Sequence, residues 1–175
     1  MTTIVIDFQN KMIIADRQQT CTRLSGFTKT EIKEQTQYRD VDKIHTLRNG
    51  YYATGAGDSD EIRRQIAHIN CFGVIDPKVK SSCILAVVRD KGLGLSVDIY
   101  RYKKTKWTWF TGYGEFKLET IQKTNGILSF GSGSDYAFGA YMAGASPKEA
   151  VKVAAICDKY TGHEIDCVSV VATVG

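Results

Sequence analysis

The chain has 175 residues, enough for one domain with a real hydrophobic core and too few for two. Apolar residues make up 43% of it and charged residues 24%, and a net charge of +4 is too mild to call for a nucleic-acid partner. Five cysteines without a C-x-x-C pair and three separated histidines fit a reducing compartment and no zinc site.

In chain order, Met1-Thr2-Thr3-Ile4-Val5-Ile6 puts a hydroxyl one methionine away from a free amino group. Removal of Met1 would give Thr2 its own base, the α-amine, where an ordinary threonine has none. Residues 2–8 alternate toward apolar, Gln9-Asn10-Lys11 can turn, and residues 12–15 resume an apolar run, so a β-hairpin is expected with the N-terminus inside a sheet. Residues 17–40 are polar and Thr-rich and read as loop with weak strand or helix content. Residues 43–47 and 51–54 read as short strands around Asn49-Gly50, and Gly55-Ala56-Gly57 ends that unit. Asp58 with Glu61 makes an acidic variant of a capping box, Ile62, Ile66 and Ile69 share one face, and Gly73 closes the helix.

Beyond Ser82 the period returns to two, through residues 84–88, 95–100, 107–110 and 127–130. Gly131-Ser132-Gly133-Ser134 then leads into a helix over 135–143. Ser146-Pro147-Lys148-Glu149 caps a second over 150–160, and residues 167–174 read as a last strand. Strands, helix, strands, helix pair and strand suit two sheets between helical layers. With no basic-apolar leader and no apolar run of about 18 residues, the expectation is a cytoplasmic protein with no membrane partner.

A threonine nucleophile with a terminal amine needs a cation close by that lowers the amine's pKa and a carboxylate that holds the cation. Asp16, ending the second predicted strand, and Lys43, starting the third, would meet near Thr2 if sequential strands are neighbours.

The motifs Thr2-Thr3-Ile4-Val5, Ile13-Ile14-Ala15-Asp16 through Thr20, Lys43-Ile44, Ala53-Thr54-Gly55-Ala56-Gly57, Phe130-Gly131-Ser132-Gly133 and Asp158-Lys159-Tyr160-Thr161-Gly162 occur in this order. In that sequence they resemble those of proteasome β-subunits and HslV-type peptidases over nearly the whole chain. The resemblance implies an α+β, N-terminal-nucleophile hydrolase fold, a four-layer αββα sandwich of two mainly antiparallel sheets formed by one domain, residues 1–175. It implies a threonine peptidase with Thr2 as nucleophile, Lys43 tuning it, Asp16 holding Lys43, and Ser132, Asp158 and Thr161 supporting the terminal amine and its water. The Gly55 N–H would face the oxyanion, Thr20 would bind the substrate backbone as an added strand, and Ala53 would line the side-chain pocket. Peptides or unfolded proteins would be the substrates, in a homo-oligomeric ring with a possible ATP-dependent unfoldase partner and no organic cofactor or metal.

The chain departs from that pattern twice. Asp16 and Lys43 lie farther apart than the family usually leaves them, so residues 21–40 read as an insertion, and only residues 72–81 separate the first helix from the next strand. A second helix is therefore missing and one helical layer reduced. Two alternatives stand beside the peptidase: a non-catalytic ring or scaffold subunit, and a nucleic-acid-binding module using the interleaved basic and aromatic residues 100–109. A charged-tip hairpin with cross-strand aromatics explains that stretch without a ligand. His45, a strand residue beside a turn, is left out of the site.

Overall fold

The protein is described here by a computed structural model covering residues 2–25, 33–104 and 108–172, with the side chains of 20–38 and 109 outside the described set. β1 (Thr3–Asp7) and β2 (Met12–Asp16) form the expected hairpin, with Ile4 opposite Ala15. Its turn is tied by the Asp7 carboxylate, which accepts the N–H groups of Gln9 at 3.0 Å and Asn10 at 3.2 Å, while Lys11 takes a positive φ of 51°. β1 is flanked on its other side by β10 (Ile127–Gly131), and β11 (Ile165–Ser169) pairs with β2, giving an antiparallel sheet in the order β10-β1-β2-β11.

A second, five-stranded antiparallel sheet runs β5 (Ile44–Thr46), β6 (Tyr52–Gly57), β7 (Cys83–Asp90), β8 (Leu95–Lys103) and β9 (Glu115–Lys123). Ile4, Ile6, Phe8 and Ile13 from the first sheet pack against Ala86, Val88, Val97 and Ile99 of the second, each buried. Sealing each of the Ile, Val and Phe side chains from water contributes about 1.5–3 kcal/mol. The opposite faces take helices. α1 (Ser59–Phe72) lays Ile62, Ile66 and Ile69 on the five-stranded sheet, and α3 (Ser134–Met142) and α4 (Pro147–Cys157) cover Val5 and Ile14 of the other. The result is the expected αββα sandwich.

The helix ends follow the predicted chemistry. Asp58 accepts the N–H groups of Asp60 and Glu61, Gly73 closes α1 in the left-handed region, and Ser146 with Glu149 forms a reciprocal capping box behind Pro147. Glu61, however, does not reach back to its cap. It is 4% exposed, accepts from Arg64 and Gln65 and takes the Lys80 N–H at 3.3 Å. Gln65 in turn accepts the Asp76 N–H at 3.0 Å. This buried polar network pins the segment after Phe72 onto α1, where a second helix was expected to be missing.

Two sequence expectations are corrected, and one strand is added. The stretch 17–40, read as loop with weak strand or helix content, carries among its described residues two full strands, β3 (Gln18–Ser25) and β4 (Lys33–Asp40), which form a separate two-stranded sheet. Part of the expected strand over 107–110 is instead a helical turn, α2 (Thr108–Thr111), and Trp107 lies outside the described residues. β9 was not anticipated, because as an edge strand it exposes most of its residues and carries a weak apolar pattern.

Candidate active site

The period of two along the first strand decides where the threonines point. Ile4, Ile6 and Phe8 face the space between the sheets while Val5 faces the helices, so Thr2 sits at the mouth of the inter-sheet space and Thr3 on the helical side. Thr2 is 3% exposed and opens onto a cleft walled by Gln18, Gln19, Val41, Lys43, His45, Gly55, Ala56, Ile62 and Arg63.

Asp16 and Lys43 meet at Thr2. The Thr2 hydroxyl donates to Asp16 Oδ1 at 2.5 Å, Lys43 Nζ donates to Asp16 Oδ1 at 2.9 Å, and the same ammonium donates to Thr2 Oγ1. Asp16 is completely buried, and it survives there because it also accepts N–H groups from Thr3 at 2.7 Å, Gln18 at 3.1 Å and Gly162 at 2.9 Å. Burial lowers the Lys43 pKa from its ordinary value, and the Asp16 charge opposes that fall. A cation held against a hydroxyl oxygen is placed to favour its negative form.

Ser132, Asp158 and Thr161 also converge. The Ser132 and Thr161 hydroxyls both donate to Asp158 Oδ2, at 2.6 and 2.7 Å, and the Ser132 N–H donates to the Thr2 carbonyl at 2.8 Å. Burial pushes the Asp158 carboxyl up, but these hydroxyls and the Tyr160 N–H outweigh it and leave its pKa below the ordinary value. Because Thr161 spends its proton on Asp158, Thr3 must be the donor in the 2.7 Å Thr3–Thr161 contact. Thr3 is the linking residue that the sequence reading missed. Its partner Thr161 lies far along the chain, so no local pattern signals the contact.

The glycines here are set by close packing. A Cβ on Gly133 would overlap Thr3 Oγ1 and stand 2.8 Å from Thr161 Oγ1, and one on Gly55 would lie 2.9 Å from the Ile84 carbonyl and 3.1 Å from Ile62. Gly55 lines the cleft. Ala53 does not. Two residues earlier on the same strand face, it is completely buried with Leu47 and Ile62 beneath α1, so it is not a wall of this cleft. Thr20 lies in β3 opposite Tyr38, and its side chain is outside the described residues.

His45, set aside in the sequence reading, does line the cleft, with burial lowering its pKa from the ordinary value. Thr2 also borders a second cleft, beside Ser82, Cys83 and Ser132. Burial pushes the Cys83 thiol up to about 12, so it stays protonated and is no rival nucleophile. Tyr100 and Tyr102 of the basic-aromatic stretch pack inward beside Phe116. Among the described residues no three His, Cys, Asp or Glu side chains group as metal ligands, and no helix is long and apolar enough to cross a membrane.

No protein-family model and no curated protein matches the sequence. Among solved structures, the chain is similar to eukaryotic HslV from Trypanosoma brucei, with a TM-score of 0.54 at 14% identity over 95% of this chain and 97% of that one. Two antiparallel sheets between helices, together with that likeness over almost the full length of both chains, give this protein the fold of the proteasome β-subunit and HslV type.

Proposed function

We propose that the protein is a threonine peptidase that hydrolyses peptide bonds with Thr2 as nucleophile once Met1 is removed. The observation carrying this reading is the Thr2 hydroxyl held between the Asp16 carboxylate and the Lys43 ammonium at the head of a cleft. In the reaction the freed α-amine takes the Thr2 proton as Oγ1 attacks the scissile carbonyl. The tetrahedral oxyanion forms toward the Gly55 N–H, a kind of donor worth about 3 kcal/mol. The protonated amine then releases the leaving amine, and water resolves the Thr2 ester with the amine again as base. Ser132, Asp158 and Thr161 orient that amine and its water. β3 beside the cleft is where a substrate strand would add, with Thr20 as its partner, and Val41, Gly55, Ala56 and Ile62 leave room for an apolar side chain before the scissile bond.

Assembly into a homo-oligomeric ring is part of the reading, since it would shield the nucleophile from folded proteins, and an ATP-dependent unfoldase would then feed it. The exposed Phe138, Met142, Val153 and Ile156 of α3 and α4 supply an apolar surface for a second copy. A peptide epoxyketone tests the chemistry: a stoichiometric mass increase mapped to Thr2 supports the peptidase. A chain with free Thr2 that is never labelled, yet still assembles, is the scaffold subunit instead.

A further inference from the structure

The β3–β4 hairpin leaves the sheet directly after Asp16 and returns at Asp40, three residues before Lys43, so the two members of the buried ion pair are the roots of the hairpin. Arg17 ties those roots. Its carbonyl accepts the Val41 N–H at 2.8 Å and its own N–H donates to the Glu164 carbonyl at 2.9 Å. Its guanidinium meets Asp40 at 2.7 Å, Asp42 at 3.1 Å and Asp166 of β11 at 3.0 Å. Asp40 and Asp42 are largely exposed, and isolated pairs of that kind add little stability. One planar cation shared by two carboxylates at the end of the hairpin and a third on β11 fixes geometry instead.

We propose that Arg17 is a positioning residue for the Thr2 site, engaging Asp42 so that the Lys43 ammonium stays with Asp16 and Thr2. Asp42 is the immediate neighbour of Lys43. With Arg17 gone, three carboxylates lose their shared cation, and Asp42 becomes a competing partner for Lys43. The charged and titratable groups facing Lys43 and Thr2 are Asp16 from β2, which pairs with the ammonium, Asp42, Arg63 of α1 and His45 of β5, which share the cleft, and Asp158, which reaches Thr2 through Ser132. Added negative charge in this set raises the pKa of Lys43 and of a free Thr2 amine alike. An amine that must be neutral to act as base then works only at higher pH.

The inference rests on the peptidase reading, so the test has one readout that needs no chemistry. In the full chain processed to Thr2, Arg17→Ala is expected to slow epoxyketone labelling at neutral pH about tenfold or more and to move the acid limb of its pH profile upward. The NMR titration of the Lys43 side chain should move upward as well. Adding Asp42→Asn to Arg17→Ala should restore most of the rate, which loss of mere structural support would not allow. If Arg17→Ala does not fold, Arg17→Lys, which keeps the charge but loses the three-way fork, carries the same comparison. Wild-type labelling and an unchanged Lys43 titration overturn the proposal, as does a loss that Asp42→Asn fails to relieve. If the wild-type chain itself is never labelled, the peptidase reading fails, and the Lys43 titration alone still judges the clamp.

Discussion

Lys43 has one task in this account, to hold positive charge against the Thr2 oxygen. Lys43→Ala is expected to lower kcat/KM by about a hundredfold or more, comparable to losing a transition-state donor. The fold should survive, because Asp16 keeps the N–H groups of Thr3, Gln18 and Gly162. Lys29→Ala and Lys33→Ala, which remove the other two lysines between Asp16 and Lys43, should be mild, and steady-state kinetics with circular dichroism check all three. A dead Lys33→Ala enzyme beside an active Lys43→Ala enzyme would reassign the lysine. Asp158 gives the pH dependence its sign. Its folded pKa lies below the ordinary carboxylate value, so the unfolded chain binds the extra proton. The stability it contributes is full above the ordinary value and is lost as pH falls through the folded one. Urea melts at decreasing pH should show that acid loss, and Asp158→Asn should flatten it.

At the scale of elements, the glycine motif after β10 is a packing requirement. Gly133→Ala drives a methyl into the Thr3–Thr161 contact and should cost about 1–3 kcal/mol and most of the activity. Gly139→Ala in α3, where a Cβ meets nothing within 4 Å, should instead stabilise by about 0.4–1 kcal/mol. Thermal melts of the pair decide this, and equal effects would remove the packing argument. The elements that were legible in the sequence are those whose local chemistry agrees with the fold: the 2–16 hairpin, the Asp58 and Ser146 caps, and the Ile62, Ile66 and Ile69 face. β3 and β4 were not, since their polar residues carry no buried-face alternation, and β9 hid for the same reason at a sheet edge. Asp16 and Lys43 were found through motif order and chemistry, whereas Thr3 and Arg17 act through contacts with Thr161 and Asp166, far along the chain, that no local pattern announces.

For the whole molecule, the layer of α3 and α4 presents Phe138, Met142 and Ile156 to solvent, with Ile156 77% exposed. If that layer meets a second copy, Ile156→Glu should shift light scattering toward smaller species while the isolated fold persists. A wild-type monomer with full peptidase activity would sink the ring. Every part of the mechanism depends on one covalent fact at the N-terminus. With Met1 attached, the Thr2 nitrogen is an amide that cannot take a proton, and a methionine side chain crowds the approach of a substrate carbonyl. Intact-mass spectrometry paired with a peptidase assay, on matched preparations that keep or lack Met1, is therefore the most direct test. The account predicts a silent Met1-retaining form and activity that rises with the fraction of chains starting at Thr2; full activity with Met1 quantitatively retained would contradict it.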